Sequence, residues 1–297
     1  MLEYPLRMLT NNQVFRSVFR PAFPELRILR NSFSNVGGKI YSKFEEENSK
    51  VAKIFISNTR KLNAMQLSMY SEIPEVVSHL LADSTDLRAV VIQGEGEKAF
   101  GSGSDISEFP TKRTGTAQME NYSRIENKAT QALLSIPVPV IAKIHGPCIG
   151  GGLNLALAAD VRYCANDSTF CIPPAVLGIG YPQELMDLLL AAVGSRSKVK
   201  ELIFTSKMIK AEEAMAIGLV DGVFKKDELD DKIFSMTKKL SQLSPKTLIA
   251  AKAGANAKTP EEYRQAKVLC DACYSSEDYK EGVSAFLEKR RPVFRGV

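Results

Sequence analysis

A glycine-rich turn that leads directly into a helix is the feature that most constrains this chain. Residues 150–152 are three consecutive glycines, and an alanine- and leucine-rich segment follows them as far as Asp160. Glycine lacks a Cβ, so an acceptor can approach the main-chain N–H groups of such a turn closely. The first N–H groups of the following helix have no partner within the helix, so the turn predicts a site where negative charge is stabilised. The alternative is a tight turn that only packs a helix against a strand.

A second glycine-rich loop precedes this turn, at residues 94–109. Short apolar runs at residues 50–57, 87–93 and 138–144 predict strands, and a helical pattern at residues 64–81 predicts a right-handed crossover between the first two. Pro74 predicts a kink or break in that helix. Since the carboxyl ends of parallel strands emerge on one side of a sheet, the two glycine-rich loops are expected to lie together.

Composition excludes several classes of protein. Of the 297 residues, 44% are hydrophobic and 25% are charged, and no apolar run approaches the length of a membrane span. The net charge of +5 gives little support to nucleic-acid binding. Five scattered cysteines argue against a secreted disulfide framework. The Cys270-x-x-Cys273 pair lacks a second ligand pair, so we expect no metal site.

The ends of the chain differ from its middle. Residues 1–45 are basic and contain few acids, as in mitochondrial transit peptides, which predicts a mitochondrial location over a cytoplasmic or peroxisomal one. The alternative is a flexible basic extension. We assign a core domain to residues 46–245 and a helical region to residues 246–297, because helical patterns with capping residues dominate after residue 198.

Four separated blocks of sequence resemble the crotonase superfamily of enoyl-CoA hydratases and isomerases. The blocks are AFGSGSDISEF (99–109), PVIAKIHGPCIGGGLNLALAAD (139–160), IKAEEAMAIGLV (209–220) and SEDYKEGVSAFLEKR (276–290). The resemblance implies an α/β fold of the ClpP/crotonase type, a spiral of ββα units with a C-terminal helical region. It also implies a homotrimer or hexamer that acts on an acyl-CoA thioester, with coenzyme A as part of the substrate and no separate cofactor.

The resemblance assigns roles to individual residues. It implies that the thioester carbonyl lies between the main-chain N–H groups of Ser104 and Gly151. Donors aimed at a carbonyl that becomes an enolate act where charge develops, and each is worth about 3 kcal/mol of barrier. The positions implied to contact coenzyme A are Arg60, Lys61, Leu62, Ala64, Ile106, Phe286 and Lys289.

The acids that the hydratases of this family use are absent. The matching positions hold Asn154 and Pro174, and Pro182 stands where some isomerases carry their acid. An amide cannot act as a base near neutral pH, and proline has no group that transfers a proton. The usual water-adding mechanism therefore lacks its two carboxylates.

The string around Tyr181 is similar to that of methylmalonyl-CoA decarboxylases in the same superfamily, although those carry a histidine at the position of Ser104 and a glutamate at that of Asn154. Decarboxylation needs little proton machinery, so we favour decarboxylation of a malonyl-type CoA, with Tyr181 and Asn154 at the site. One alternative is a hydratase or isomerase that uses Glu184. Another is a non-catalytic scaffold that binds acyl-CoA.

Overall fold

A computed structural model describes residues 37–84 and 86–297 of the chain. Its strands are β1 (Lys39–Phe44), β2 (Val51–Ser57), β3 (Ala89–Gly94), β4 (Val140–Ile144), β5 (Pro147–Ile149), β6 (Val161–Ala165), β7 (Thr169–Cys171), β8 (Ile209–Lys210) and β9 (Gly222–Phe224). Its helices are α1 (Leu67–Asp83), α2 (Phe109–Lys112), α3 (Gly115–Leu134), α4 (Gly151–Leu157), α5 (Pro174–Leu177), α6 (Gln183–Val193), α7 (Arg196–Thr205), α8 (Ala211–Ala216), α9 (Leu229–Leu240), α10 (Pro245–Asn256), α11 (Pro260–Tyr274) and α12 (Glu277–Leu287).

The main sheet has the strand order β1-β2-β3-β4-β6-β9. Strands β2, β3, β4, β6 and β9 pair in parallel, whereas β1 pairs antiparallel with β2. In β3, Val90 and Ile92 face one buried cluster while Ala89 and Val91 face another. A parallel strand covered on both faces needs such a continuous apolar run. The predicted parallel arrangement is therefore confirmed, and β3 and β4 end on the same side of the sheet.

A smaller sheet carries the glycine turn. Strand β5 pairs in parallel with β7, which pairs antiparallel with β8. The turn follows β5 immediately, and α4 begins at Gly151. This arrangement places the turn at the end of a strand, with the cross-strand bonds of β5 fixing its starting point.

Helix α1 spans residues 67–83, where residues 64–81 were predicted, and it continues through Pro74 without a break. A break at Pro74, one of the two predicted effects of this residue, is therefore wrong. Proline lacks the N–H that would bond to the preceding turn. The buried face of the helix, which includes Met69, Ile73 and Val77, compensates for that loss by packing on the sheet.

The predicted N-terminal extension overlaps the fold. Strand β1 lies before the predicted boundary at residue 45, and Ile40 is buried in the core while the Tyr41 ring stacks on Phe55 at 4.9 Å. The sheet therefore includes residues that we assigned to the extension. The transit-peptide prediction otherwise falls on residues 1–36, which lie outside the described residues.

The C-terminal helices are tied to the core by a buried arginine. Arg88 is 1% exposed, and its guanidinium donates to the carbonyl oxygens of Leu243 (3.0 Å) and Phe294 (3.1 Å). The same group pairs with Asp86. One side chain at the start of β3 therefore holds both the loop before α10 and the segment after α12.

Candidate active site

The glycine turn has a conformation that requires glycine. Gly150 has a φ of 49° and a ψ of −118°, and its N–H donates to the Cys171 carbonyl in β7 at 2.8 Å. A side chain at this φ would be strained. Helix α4 has only seven residues, so the individual N–H groups of its first turn are the polar feature of this position.

The loop that contains Ser104 lies against the same turn. Gly101 bridges Cys148, and Met65 bridges Ser104 in parallel fashion. In the second bridge the bonds run from Met65 N–H to the Gly103 carbonyl and from Asp105 N–H to the Met65 carbonyl. These bonds flank Ser104 and leave its own N–H on the opposite side of the chain.

The N–H groups of Ser104 and Gly151 donate to no acceptor among residues 37–84 and 86–297. The side chains confirm that the two loops touch: a Cβ built on Gly151 would lie 3.0 Å from Ser104 Oγ. The hydroxyl of Tyr70 from α1 hydrogen-bonds to Ser104 Oγ at 3.1 Å and packs against Gly151. The prediction that both loops meet at one site is confirmed, and each brings an unpaired main-chain donor.

A chain of hydrogen bonds joins three buried or half-buried side chains beside the turn. The Tyr181 hydroxyl donates to Asn154 Oδ1 at 2.7 Å, and Asn154 Nδ2 donates to Glu126 Oε1 at 3.4 Å. Asn154 is 4% exposed and Glu126 is 5% exposed. Tyr181 and Asn154 are thus brought together as predicted, and a carboxyl group that the sequence analysis missed completes the chain.

Burial controls the ionisation of this cluster. It raises the pKa of Glu126, an effect that the positive charge of Arg113 and the hydrogen bond from Asn154 oppose. Burial is also the main reason that the pKa values of Tyr70 and Tyr181 lie above their ordinary value. The same cause raises the pKa of Tyr122 to about 12. The cluster therefore favours neutral, protonated side chains.

Arg113 brings a positive charge to the edge of the cluster. Its guanidinium lies 4.5 Å from the centre of the Tyr122 ring and 5.0 Å from that of Phe109. Its Nε is buried and bonds to no group in the described part of the chain, and the same holds for the buried Tyr122 hydroxyl. Contacts with two aromatic rings hold this cation in place, and in the described residues it forms no ion pair within 4.0 Å.

Glu184 lies in the first turn of α6, and its side chain is exposed. It lines a cavity of about 270 Å³ together with Glu126 of α3. The other lining residues are Ser123, Arg124, Asn127, Pro182 and Leu185. Glu184 makes no hydrogen bond to Asn154 or Tyr181, so it faces the cavity without joining their network.

The N-terminal residues predicted to contact coenzyme A form one surface beside the Ser104 loop. Arg60 and Lys61 lie in a single turn, Thr59–Lys61. The carbonyl oxygen of Leu62 accepts a hydrogen bond from the Ser102 N–H, and Ala64 is buried. Lys61 Nζ pairs with Asp105 Oδ2 at 2.6 Å, directly before Ile106. Although burial raises the pKa of Asp105, the hydrogen bonds from Lys61 and Ser107 hold it below its usual range. Lys61 therefore organises the loop in addition to carrying charge.

Phe286 and Lys289 lie apart from these residues within the chain. Phe286, near the end of α12, is 83% exposed, and Lys289 is exposed just beyond the helix. The contact of these two residues with coenzyme A stays a prediction.

The residues that the sequence analysis missed are Tyr70, Arg113, Tyr122 and Glu126. One signal for Glu126 was available: it lies four residues after Tyr122 and three before Ala129, on the buried face of α3. An acid within the apolar stripe of an amphipathic helix is costly to bury unless it has a partner. That partner, Asn154, is distant in sequence.

Other types of site receive no support in the described residues. No cluster of three or more His, Cys, Asp or Glu side chains that could hold a metal ion occurs in them. Cys270 and Cys273 both lie in α11 and are free thiols. Within residues 37–84 and 86–297, every helix is too short or too polar to cross a bilayer.

Comparison with known proteins defines the class. The model of the enoyl-CoA hydratase/isomerase family matches residues 46–297, and the chain belongs to this family. A solved structure of a putative family member from Hyphomonas neptunium superposes with a TM-score of 0.80 at 30% identity, covering 87% of this chain and 98% of that one. The predicted crotonase fold is confirmed.

The similar relatives have different named activities. The methylmalonyl-CoA decarboxylase of Escherichia coli is 31% identical over 84% of this chain and 95% of its own length. The short-chain-enoyl-CoA hydratase of Clostridium acetobutylicum is 32% identical over 83% of this chain and 94% of its own. The mitochondrial enoyl-CoA hydratase domain-containing protein 3 of Rattus norvegicus is 28% identical over 82% of this chain and 81% of its own length. Identity alone therefore does not separate the reactions.

Proposed function

We propose that this enzyme binds an acyl-CoA thioester, stabilises its enolate and decarboxylates a malonyl-type acyl group. The main-chain N–H groups of Ser104 and Gly151 would receive the thioester oxygen. Both are unpaired within the described chain and both are held by rigid loops, which suits donors that must not reorganise as charge develops. The family's activity on acyl-CoA supports this substrate class.

The observation that carries the choice of reaction is the network of Tyr181, Asn154 and Glu126. Hydration requires an ionised base that removes a proton from water. Asn154 cannot be that base, and burial of Glu126 favours its protonated form. Decarboxylation needs no base, because the leaving carboxylate supplies the electron pair, and it consumes one proton afterwards. A buried cluster of protonated side chains therefore fits decarboxylation better than hydration.

Parallel assays of malonyl-CoA, methylmalonyl-CoA and crotonyl-CoA test the proposal. We expect CO₂ release from at least one of the malonyl-type substrates and slow or no hydration of crotonyl-CoA. Rapid hydration of crotonyl-CoA without CO₂ release would show that the reaction is wrong. Saturable binding of the thioesters without turnover would instead favour an acyl-CoA-binding scaffold.

Hydration or isomerisation is the second candidate, and the position of Glu184 favours it. This exposed carboxylate lines the same cavity as Glu126, so two carboxyl groups face a space of about 270 Å³. If Glu184 is a base, Glu184→Gln abolishes turnover of crotonyl-CoA. Under our leading proposal the same substitution leaves CO₂ release close to that of the unsubstituted enzyme, because Glu184 lies outside the hydrogen-bonded network.

We also propose that the enzyme assembles as a homotrimer or a pair of trimers. Helices α11 and α12 and the segment after them expose large apolar side chains, including Val268 (67%), Tyr274 (67%), Phe286 (83%) and Leu287 (74%). A contiguous exposed apolar face is typical of an interface between subunits. Light scattering coupled to size-exclusion chromatography should give three or six times the 32.7 kDa chain mass.

A mitochondrial location is proposed from the basic, acid-poor N-terminal residues and from the mitochondrial relative in rat. Relatives of similar identity also occur in bacteria, so the proposal depends mainly on the composition of the N-terminal residues. A fusion of residues 1–45 to a fluorescent reporter should colocalise with mitochondria. A diffuse cytosolic signal would contradict it.

A further inference from the structure

Decarboxylation leaves an enolate that must take up a proton at Cα, and this requirement rests on the proposed function. The groups with exchangeable protons near the two N–H donors are the hydroxyls of Tyr70, Ser104, Tyr122 and Tyr181, the Asn154 amide and the Glu126 carboxyl. The amide and the serine hydroxyl are very weak acids. The tyrosines are held neutral by burial.

The Tyr181 proton is already engaged, since the hydroxyl donates it to Asn154 Oδ1. The hydroxyls of Tyr70 and Ser104 hydrogen-bond to each other, and either one can be the donor. Glu126 differs, because only Oε1 is hydrogen-bonded, to Asn154, and Oε2 bonds to no other described residue. This carboxyl borders a cavity of about 270 Å³ that opens between α3 and the start of α6. It therefore has both a contact to the site and a route to solvent.

We infer that Glu126 is the proton donor that quenches the thioester enolate. It reaches the site from α3, outside the glycine turn and the helix that follows it. Asn154, on that helix, fixes the orientation of the carboxyl through Nδ2, while its Oδ1 is held by Tyr181. The acid thus approaches the reacting carbon from the wall of the cavity opposite the Tyr181 loop.

The proton balance is simple. Cleavage of the Cα–carboxylate bond releases CO₂ and leaves the electron pair on the enolate, whose oxygen lies between the two N–H donors. The enolate carbon takes the proton of the Glu126 carboxyl, which gives the decarboxylated acyl-CoA and a Glu126 carboxylate. Water in the cavity returns a proton to that carboxylate before the next turnover.

The residues around Glu126 suit a side chain that alternates between a carboxyl and a carboxylate. Arg113 faces Glu126 from the loop after α2 and stabilises the transient carboxylate. The neutral hydroxyls of Tyr70, Tyr122 and Tyr181 face it from α1, α3 and the loop before α6, and exposed Glu184 faces the cavity from α6. Burial raises the pKa of the carboxyl and so keeps a proton available for donation.

Exchange of the α-hydrogens of propionyl-CoA in D₂O tests the inference without requiring decarboxylation. By microscopic reversibility, an enzyme that protonates the enolate also exchanges these hydrogens. Glu126→Gln keeps the shape and the hydrogen bond from Asn154 but has no acidic proton, so we expect exchange to slow by about 10²-fold or more. Glu126→Asp should retain part of the rate. Glu120→Gln, an exposed position on the same helix, is the control and should exchange normally.

The outcomes separate the two proposals. Glu126-dependent exchange without CO₂ release from malonyl-type substrates retains the role of Glu126 and overturns the decarboxylase. CO₂ release with exchange that is equal in the parent enzyme and Glu126→Gln overturns the role of Glu126 and retains the decarboxylase. Absence of exchange in the parent enzyme also overturns the inference.

Discussion

The Tyr181 hydroxyl lies 2.7 Å from Asn154 Oδ1 and donates its proton to that oxygen. This contact fixes the amide, so that Nδ2 faces Glu126 and only Oδ1 faces Tyr181. The Tyr181 proton is therefore engaged with Asn154. The orientation of one amide determines which side chains can donate at this site.

Tyr181→Phe is expected to lower kcat. The substitution leaves the buried Asn154 Oδ1 without a donor, which costs about 1–3 kcal/mol, and it frees the amide to rotate away from Glu126. A matched control is Tyr163→Phe, since the Tyr163 hydroxyl bonds to no other described residue. Steady-state kinetics of CO₂ release should show a decrease of about tenfold or more for Tyr181→Phe only. Unchanged turnover would remove Tyr181 from any catalytic role.

Gly151→Ala is expected to abolish most activity and to destabilise the fold. The new Cβ would overlap the Tyr70 hydroxyl, which is fully buried and cannot move aside cheaply. Overpacking of this kind costs about 1–3 kcal/mol, and displacement of one N–H donor lowers kcat by roughly 10²–10³-fold. Gly254→Ala in α10 meets no atom within 4 Å and should leave activity unchanged. Equal activity in the two variants would argue against the Gly151 donor.

Glu126 should make stability fall as pH rises. Its pKa is raised in the folded state, so between about pH 4.3, the unfolded value, and the folded pKa the native state holds the extra proton. Below this pH window the group does not change the free energy of unfolding with pH. Within the window that free energy falls as pH rises, by at most about 1.4 kcal/mol per pH unit. Urea unfolding from pH 4 to pH 8 should show Glu126→Gln gaining stability relative to the parent. A pH-independent difference would contradict this.

Arg113→Met should shift the pH profile of CO₂ release. The Arg113 charge opposes the effect of burial on Glu126, so its removal raises the Glu126 pKa further. Since the protonated carboxyl is the proposed active form, the alkaline limb of kcat should move to higher pH. Lys112→Met, an exposed neighbour, provides the comparison. Coincident profiles for the two variants would mean that Arg113 does not act on the acid.

Arg88→Met should destabilise the whole chain. The loss of donors to the Leu243 and Phe294 carbonyl oxygens leaves buried acceptors unpaired, at about 2–5 kcal/mol together. Lys50→Met removes the other cation that pairs with Asp86, but that pair is exposed and worth less than about 1 kcal/mol. Chemical denaturation of both variants measures the difference. Similar midpoints would show that the hydrogen bonds from Arg88 to the C-terminal segments add little stability.

The sequence predicts the parallel core well, because strands buried on both faces are short apolar runs that few other structures tolerate. It also brings the Ser104 and Gly151 loops together, since parallel strands end on one side. It fails at β1, where Lys39 and Lys43 give a basic composition although Ile40 and Phe44 pack inward. It also fails at Glu126, whose partner Asn154 is 28 residues away and is revealed only by the packing of α3 on α4.

The two donors proposed to receive the thioester oxygen belong to the main chain, whereas the roles proposed for Tyr181, Asn154 and Glu126 depend on their side chains. A point substitution can delete a carboxyl or a hydroxyl, but it removes a backbone N–H only by steric displacement or by introducing proline. Mutational drift should therefore alter the reaction of such a protein long before it alters the thioester that the protein holds. Two relatives that are 31% and 32% identical to this chain already differ in their named activities.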